Sequence, residues 1–396
     1  MVDHLVRLLN RFRRHSVLSV FCLALAVRFL VAGIVATFFE GSLFLDDRTY
    51  LQMAEALNLG GASRDNVVLW EGWDDGRGFL VPIAFLLDKL GALPLAAQLI
   101  PVVAGSVTAA AVTMLLRRHT TSTVALGAGI LAAVFPSQVL WSSLILKDAL
   151  VWMSLSLTAV ALAWWAERES KQGFAIGAIV VTTLAAYLSI LRPHTLVVCC
   201  IAMVISTGWR KGRWRIQFIA VTAALLIVVP WVAGSGIAGF DIVRLGASGL
   251  EQQREAAATG GARAFGDAVT IEAWRDVLYL PTGLRTMLID PLPHHLGEST
   301  RIVFAFAENI IWYPLLALAV YGMPAIRRRN LELTLTLLLL IGLTIMWALI
   351  EGNFGTAFRH RGEFVWAVIV LAGVGADRLL ASWPKRHDLG QSPGHA

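Results

Sequence analysis

The sequence is poor in charge: Asp, Glu, Lys and Arg supply 15% of its 396 residues, where a soluble domain carries roughly 25%. With 57% apolar residues and a mean hydropathy of +0.68, that shortage excludes a soluble globular enzyme, a disordered chain and a nucleic-acid-binding module. Cysteine is scarce as well. Cys22, Cys199 and Cys200 all lie inside apolar stretches, so neither a disulfide framework nor a zinc motif is expected. No internal repeat is evident, and no A-x-A cleavage site follows Arg7, Arg11, Arg13 and Arg14. The apolar run behind those arginines is too long for a signal peptide and reads as a retained first span.

What the chain has instead is apolar runs. A spanning helix needs roughly 20 mostly apolar residues. Such runs fall near 16–39, 92–116, 123–146, 149–166, 174–191, 195–208, 217–235, 302–323, 331–350 and 364–382. They predict an all-α polytopic membrane protein with about ten transmembrane helices. The stretch 78–91, which contains Pro82, Asp88 and Lys89, reads as a re-entrant or membrane-surface piece. Lys and Arg near span ends favour the cytoplasm, and alternate short loops here carry seventeen against four. Both termini are therefore expected in the cytoplasm and the chain in a cell membrane, inner or plasma. The formal charge of +6 then records topology rather than an anionic partner. Residues 1–383 read as a single transmembrane domain with long outer loops at about 40–77 and 236–301, and 384–396 as a cytoplasmic tail.

With that topology the unusual polar groups collect on the outer face. They include Asp46, Asp47, Lys147, Asp148, Arg192, His194, Arg359, His360 and Arg361. The first constellation is LDDRTYLQMAEAL, in which Tyr50, Met53, Ala54 and Leu57 follow helical spacing and predict an amphipathic helix. Asp46 and Asp47 stand at its start, where one can cap the helix and the other can act as a general base.

Asp46-Asp47-x-x-Tyr50-x-x-x-Ala54, after a first span carrying Arg28, resembles the acidic first-loop motif of GT-C membrane glycosyltransferases, such as the protein O-mannosyltransferase and aminoarabinose transferase group. Arg77-Gly78 with Pro82 is similar to the end of that family's loop, and Pro136 and Lys147-Asp148 also fit. The recognisable part covers about 16–150; Asp-Asp stands here where the family often has Asp-Glu. The resemblance implies a GT-C-like fold, a polyprenyl-phosphate-linked sugar as donor, and an acidic residue of the motif as catalytic base. The acceptor would be an envelope glycan, lipid or protein, met at the membrane lipid surface on the extracytoplasmic side.

The remaining charges suit that chemistry. A phosphate leaving group needs little protonation, so one carboxylate to take the acceptor proton and several cations suffice. Arginine grips phosphate with two parallel hydrogen bonds. Candidate ligands are Arg192 and His194 in LRPHT and Arg359, His360 and Arg361 in EGNFGTAFRHRGEF, with Tyr50, Arg77, Lys147 and Asp148 nearer the motif. Arg28, deep in span one, is expected to pair with Asp88, Asp148 or Glu308, and Glu308 and Asn309 are assigned no chemistry. His294-His295 lacks a spaced carboxylate, so no metal or other cofactor is indicated. Trp70, Trp73 and Trp274 read as ordinary interfacial tryptophans. Two rival readings stay open: a polymerase or ligase of lipid-diphosphate glycans, and a transporter or lipid flippase. The second expects ionisable groups through the midplane and internal repeats.

Overall fold

Long runs of leucine, alanine and valine leave backbone polar groups no partner in lipid except one another, so helix is the local structure open to them. The computed structural model describes residues 16–68, 73–91, 93–166, 171–208, 278–296, 300–326, 330–351 and 354–383, and the regular elements among these are all helical. In chain order they are α1 (Ser16–Phe38), α2 (Leu45–Leu59), α3 (Gly61–Val68), α4 (Trp73–Leu90), α5 (Pro94–Leu116), α6 (Ser122–Val134), α7 (Pro136–Ser142), α8 (Asp148–Ala166), α9 (Lys171–Ser189), α10 (Pro193–Gly208), α11 (Leu280–Leu288), α12 (Thr300–Gly322), α13 (Leu331–Ile350) and α14 (Phe354–Ser382). Among the described residues, α1, α5, α8, α12, α13 and α14 are long and apolar enough to cross a membrane. The helices α9 and α10 are apolar but shorter. The expected span at 217–235, most of the second long loop, the side chains of Trp70, Trp73 and Trp274, and the tail 384–396 lie outside the described residues.

Two elements differ from the sequence expectation. The run 123–146 is not one helix: α6 and α7 meet at a 51° bend. Pro136 has no N–H to give and forces the preceding Phe135 into an extended conformation (φ −61°, ψ 123°). The last helix starts at Phe354 instead of near 364, so the Arg359-His360-Arg361 stretch is helical and packed into the bundle. Neighbouring carboxylates and carbonyls let it be so.

The bend explains Arg28. α1 turns one stripe inward, Val20, Ala24, Arg28, Ala32 and Val35, and Arg28 is 1% exposed. Among the described residues, none of the expected carboxylates bonds to it. Its Nε donates to Ser142 Oγ at 2.8 Å, its Nη1 to the Ala133 carbonyl at 2.8 Å and its Nη2 to the Ala132 carbonyl at 3.3 Å. Those carbonyls end α6, where Pro136 denies them helical donors. On the other side of the break, the Glu308 carboxylate from α12 accepts the Ser137 N–H at 2.6 Å in the first turn of α7. A cation at one helix's C-terminus and an anion at the next one's N-terminus match the two dipoles. Arg28→Met is expected to lower stability by about 1–3 kcal/mol, the cost of stranding buried acceptors, read as a lower thermal midpoint in detergent.

Two glycines bring α12 and α14 together. A Cβ on Gly375 would fall 2.0 Å from the Leu318 carbonyl oxygen, and one on Gly322 would fall 2.5 Å from that of Leu371. Small residues that admit close backbone approach are the usual device of helix pairs in membranes. The two helices carry much of the site described next.

Candidate functional site

The first turn of α2 separates the two adjacent aspartates. Asp47 is fully buried. Its Oδ2 accepts the Leu43 N–H at 2.8 Å and its Oδ1 accepts those of Phe44 and Arg48 at 2.9 and 3.0 Å. It therefore holds the entry to the helix, satisfying backbone donors that would otherwise be stranded. Burial pushes its carboxyl up from the ordinary value and the backbone N–H groups pull against that. Asp46 points the other way, with its side chain 56% exposed and its Oδ2 bonded to Nη1 of Arg359.

Arg359 leads into a chain of alternating charge. Its Nε and Nη2 donate to Asp148 Oδ2 at 2.9 and 2.7 Å, while Asp148 Oδ1 accepts from Arg192 Nη2 at 2.7 Å. Arg192 Nη1 pairs in turn with Glu363. The other oxygen of Glu363 takes the Thr195 hydroxyl at 3.2 Å and the Trp347 indole N–H at 3.1 Å. Asp148 opens α8, Arg192 precedes Pro193 at the start of α10, and Glu363 lies one turn after Arg359 on α14. Four separate segments thus meet at one end of the bundle. Three carboxylates and two guanidinia leave the chain with a formal charge of −1.

Beside it lies an aromatic cluster. His360 stacks on Trp347, ring centroids 3.7 Å apart, and bonds Glu351 through Nδ1, while His194 meets the same indole edge-on at 5.2 Å. Glu351 also accepts the Thr356 hydroxyl at 2.5 Å.

Arg361 behaves differently from the other two arginines. It is 2% exposed, and its described hydrogen-bond acceptors are neutral, Asn309 Oδ1 at 3.0 Å and the backbone carbonyls of Asp290 and Thr286, while the Glu308 and Asp290 carboxylates act on it electrostatically without a direct bond. Its guanidinium also lies 5.3 Å from the Trp312 ring centre.

A cavity of about 610 Å³ opens against this end of the bundle, within the roughly 300–1,000 Å³ of small-molecule sites. Asp46, Arg359, Arg361, Asp290, Thr286 and Thr356 give it a polar wall. Leu43, Leu45, Leu140, Trp141, Phe304, Phe354 and Phe358 are among its apolar lining. Leu45 and Phe304 reach the protein surface, 77% and 37% exposed. The cavity is therefore amphiphilic, with charge at one side and an apolar wall that continues outward.

Not every residue singled out from the sequence reaches this cavity. Asp46, Arg359 and Arg361 line it; Asp148 stands one contact behind and Arg192 two; His194 and His360 flank Trp347. Tyr50 packs edge-on to Phe79 at 5.4 Å. Arg77 on α4 and Lys147 before α8 are half-buried and outside the lining. His295 turns inward to accept the Leu292 N–H at 3.1 Å and is a loop cap. Glu363, Glu351 and Trp347 were not singled out. For Glu363 the one local signal is an acid four residues after Arg359, which on a helix usually means a surface pair.

In its fold the chain is similar to solved oligosaccharyltransferases. The particular likeness is to the archaeal oligosaccharyltransferase AglB from Archaeoglobus fulgidus, solved in complex with an inhibitory peptide and a dolichol-phosphate. It aligns with 97% of this chain at 14% identity and a TM-score of 0.52. The apo form of the Archaeoglobus fulgidus oligosaccharyltransferase aligns with 93% at 13% identity and a TM-score of 0.53. This chain spans 53% and 51% of those two chains, about half their length. No protein-family model matches the sequence, and neither does any curated protein.

Proposed function

We propose that this chain is a membrane glycosyltransferase that moves a sugar from a polyprenyl-phosphate donor to a hydroxyl of an envelope glycan, lipid or protein on the extracytoplasmic face. The observation that carries this is the amphiphilic cavity, where an exposed carboxylate and two guanidinia share one wall. An isoprenoid chain fits the apolar lining, and the phosphate fits the two guanidinia of the polar wall, which Asp46 and Asp290 otherwise balance. Asp46 is the base: it takes the acceptor proton while the sugar leaves its phosphate, which needs no acid. Arg359 is one phosphate ligand. Arg361 is a second phosphate ligand on the wall, because its hydrogen bonds go to neutral oxygens and a buried guanidinium gains from a charged acceptor. Asp148, Arg192 and Glu363 hold Arg359 in place.

The likeness in fold to those oligosaccharyltransferases supports this reading, as does the dolichol-phosphate bound to AglB. Transport is less well supported. Arg28 and Glu308, buried ionisable groups within the long apolar helices α1 and α12, are both taken up in capping the break between α6 and α7. A panel of polyprenyl-phosphate sugars offered to the purified protein tests the proposal. Release of polyprenyl phosphate from one donor is expected. Movement of labelled lipid across vesicles with no cleavage of any donor would replace a transferase with a transporter.

A further inference from the structure

We infer that Arg359 is a switch that ties donor binding to release of the base; this rests on the proposal that Asp46 is that base. The guanidinium has three nitrogens and divides them unequally. Nε and Nη2 go to Asp148, which is completely buried and also held by Arg192. Nη1 goes to Asp46, whose side chain is 56% exposed. The Asp148 limb is sheltered from water and geometrically fixed; the Asp46 limb faces the cavity and is open to competition, as exposed ion pairs are.

An anion entering the cavity therefore meets a guanidinium that cannot swing away but can exchange one partner. A phosphate oxygen on Nη1 displaces the Asp46 carboxylate, leaving it unpaired beside the place where the acceptor hydroxyl arrives. No covalent bond changes in this step; one charge-assisted hydrogen bond replaces another. The consequence is an order of events: donor first, base free second, acceptor third. When the lipid phosphate leaves, the Asp46 limb closes again. Arg359 is a positioning residue for the base as well as a ligand for the donor.

Asp46 and the lipid phosphate then compete for one nitrogen, and removing Asp46 should tighten phosphate binding even though it stops turnover. The test is the affinity of the full chain for a polyprenyl phosphate carrying no sugar, followed by tryptophan fluorescence. Asp46→Asn is expected to tighten binding about fivefold, the upper end for a partly exposed ion pair. Arg359→Lys keeps a cation beside Asp148 but cannot span both acids. In that background Asp46→Asn should change affinity by less than about twofold, the coupling a double-mutant cycle isolates. Equal tightening in both backgrounds would mean simple charge repulsion and would overturn the switch, as would no tightening at all. Failure of the wild type to bind polyprenyl phosphate would instead sink the donor proposal and the switch with it. Thermal midpoints of all four proteins confirm that folded material is compared.

Discussion

Asp46→Asn is expected to slow sugar transfer by about 10²–10⁴-fold, the usual contribution of a positioned general base, with the thermal midpoint unchanged. The asparagine keeps the shape of the side chain and loses its capacity to accept a proton. Little else depends on Asp46, since it is half exposed and its described partner is Arg359. Asp47→Asn should do the reverse. It leaves one oxygen where two carboxylate oxygens now receive the N–H groups of Leu43, Phe44 and Arg48. A loss of about 1–2 kcal/mol in stability is the expected cost, in the range for a helix cap, with activity per folded molecule largely kept. Turnover and melting measured on both variants settle the roles. A folded but dead Asp47→Asn beside an active Asp46→Asn would exchange the two assignments.

Asp148→Ala should be the most damaging change to stability, at about 3–5 kcal/mol, the range for breaking a buried ion pair from one side. Its carboxylate joins Arg192 and Arg359, and neither has another carboxylate able to take over both positions. Removing it strands donors of both arginines away from water. The check is thermal unfolding in detergent or nanodiscs, where a loss under about 1 kcal/mol would show that the network is looser than its geometry.

Much of this arrangement was legible because charge asymmetry in loops reports which side each segment faces. Asp46, Asp148, Arg192 and Arg359 come from distant parts of the chain, were placed on one face by that count, and stand in direct contact. Pairing was not legible. Arg192 and Arg359 looked like ligands awaiting phosphate, but each already holds two carboxylates. A cation in a low-dielectric interior takes whatever acid the tertiary fold brings, and linear order does not say which. Adjacent Asp46 and Asp47 posed the same difficulty: both can cap a helix, and only the path of residues 43–45 decides which turns inward. Arg28 failed for a different reason. A buried cation suggests an acid, but a proline-broken helix supplies neutral carbonyls that serve as well.

The glycine contact between α12 and α14 bears on how the site can move. Where Gly375 meets the Leu318 carbonyl and Gly322 meets that of Leu371, backbone touches backbone with no side chain between to yield or re-rotamerise. Sliding one helix past the other by a single residue, about 1.5 Å, would drive a carbonyl into a neighbouring main chain. The pair is locked in register and behaves as one rigid strut. Asn309 and Arg361, hung from the two helices and bonded to each other, keep their spacing whatever occupies the cavity. Any widening to admit a bulky lipid must come from lining outside this helix pair, such as the 43–45 segment that leads into α2.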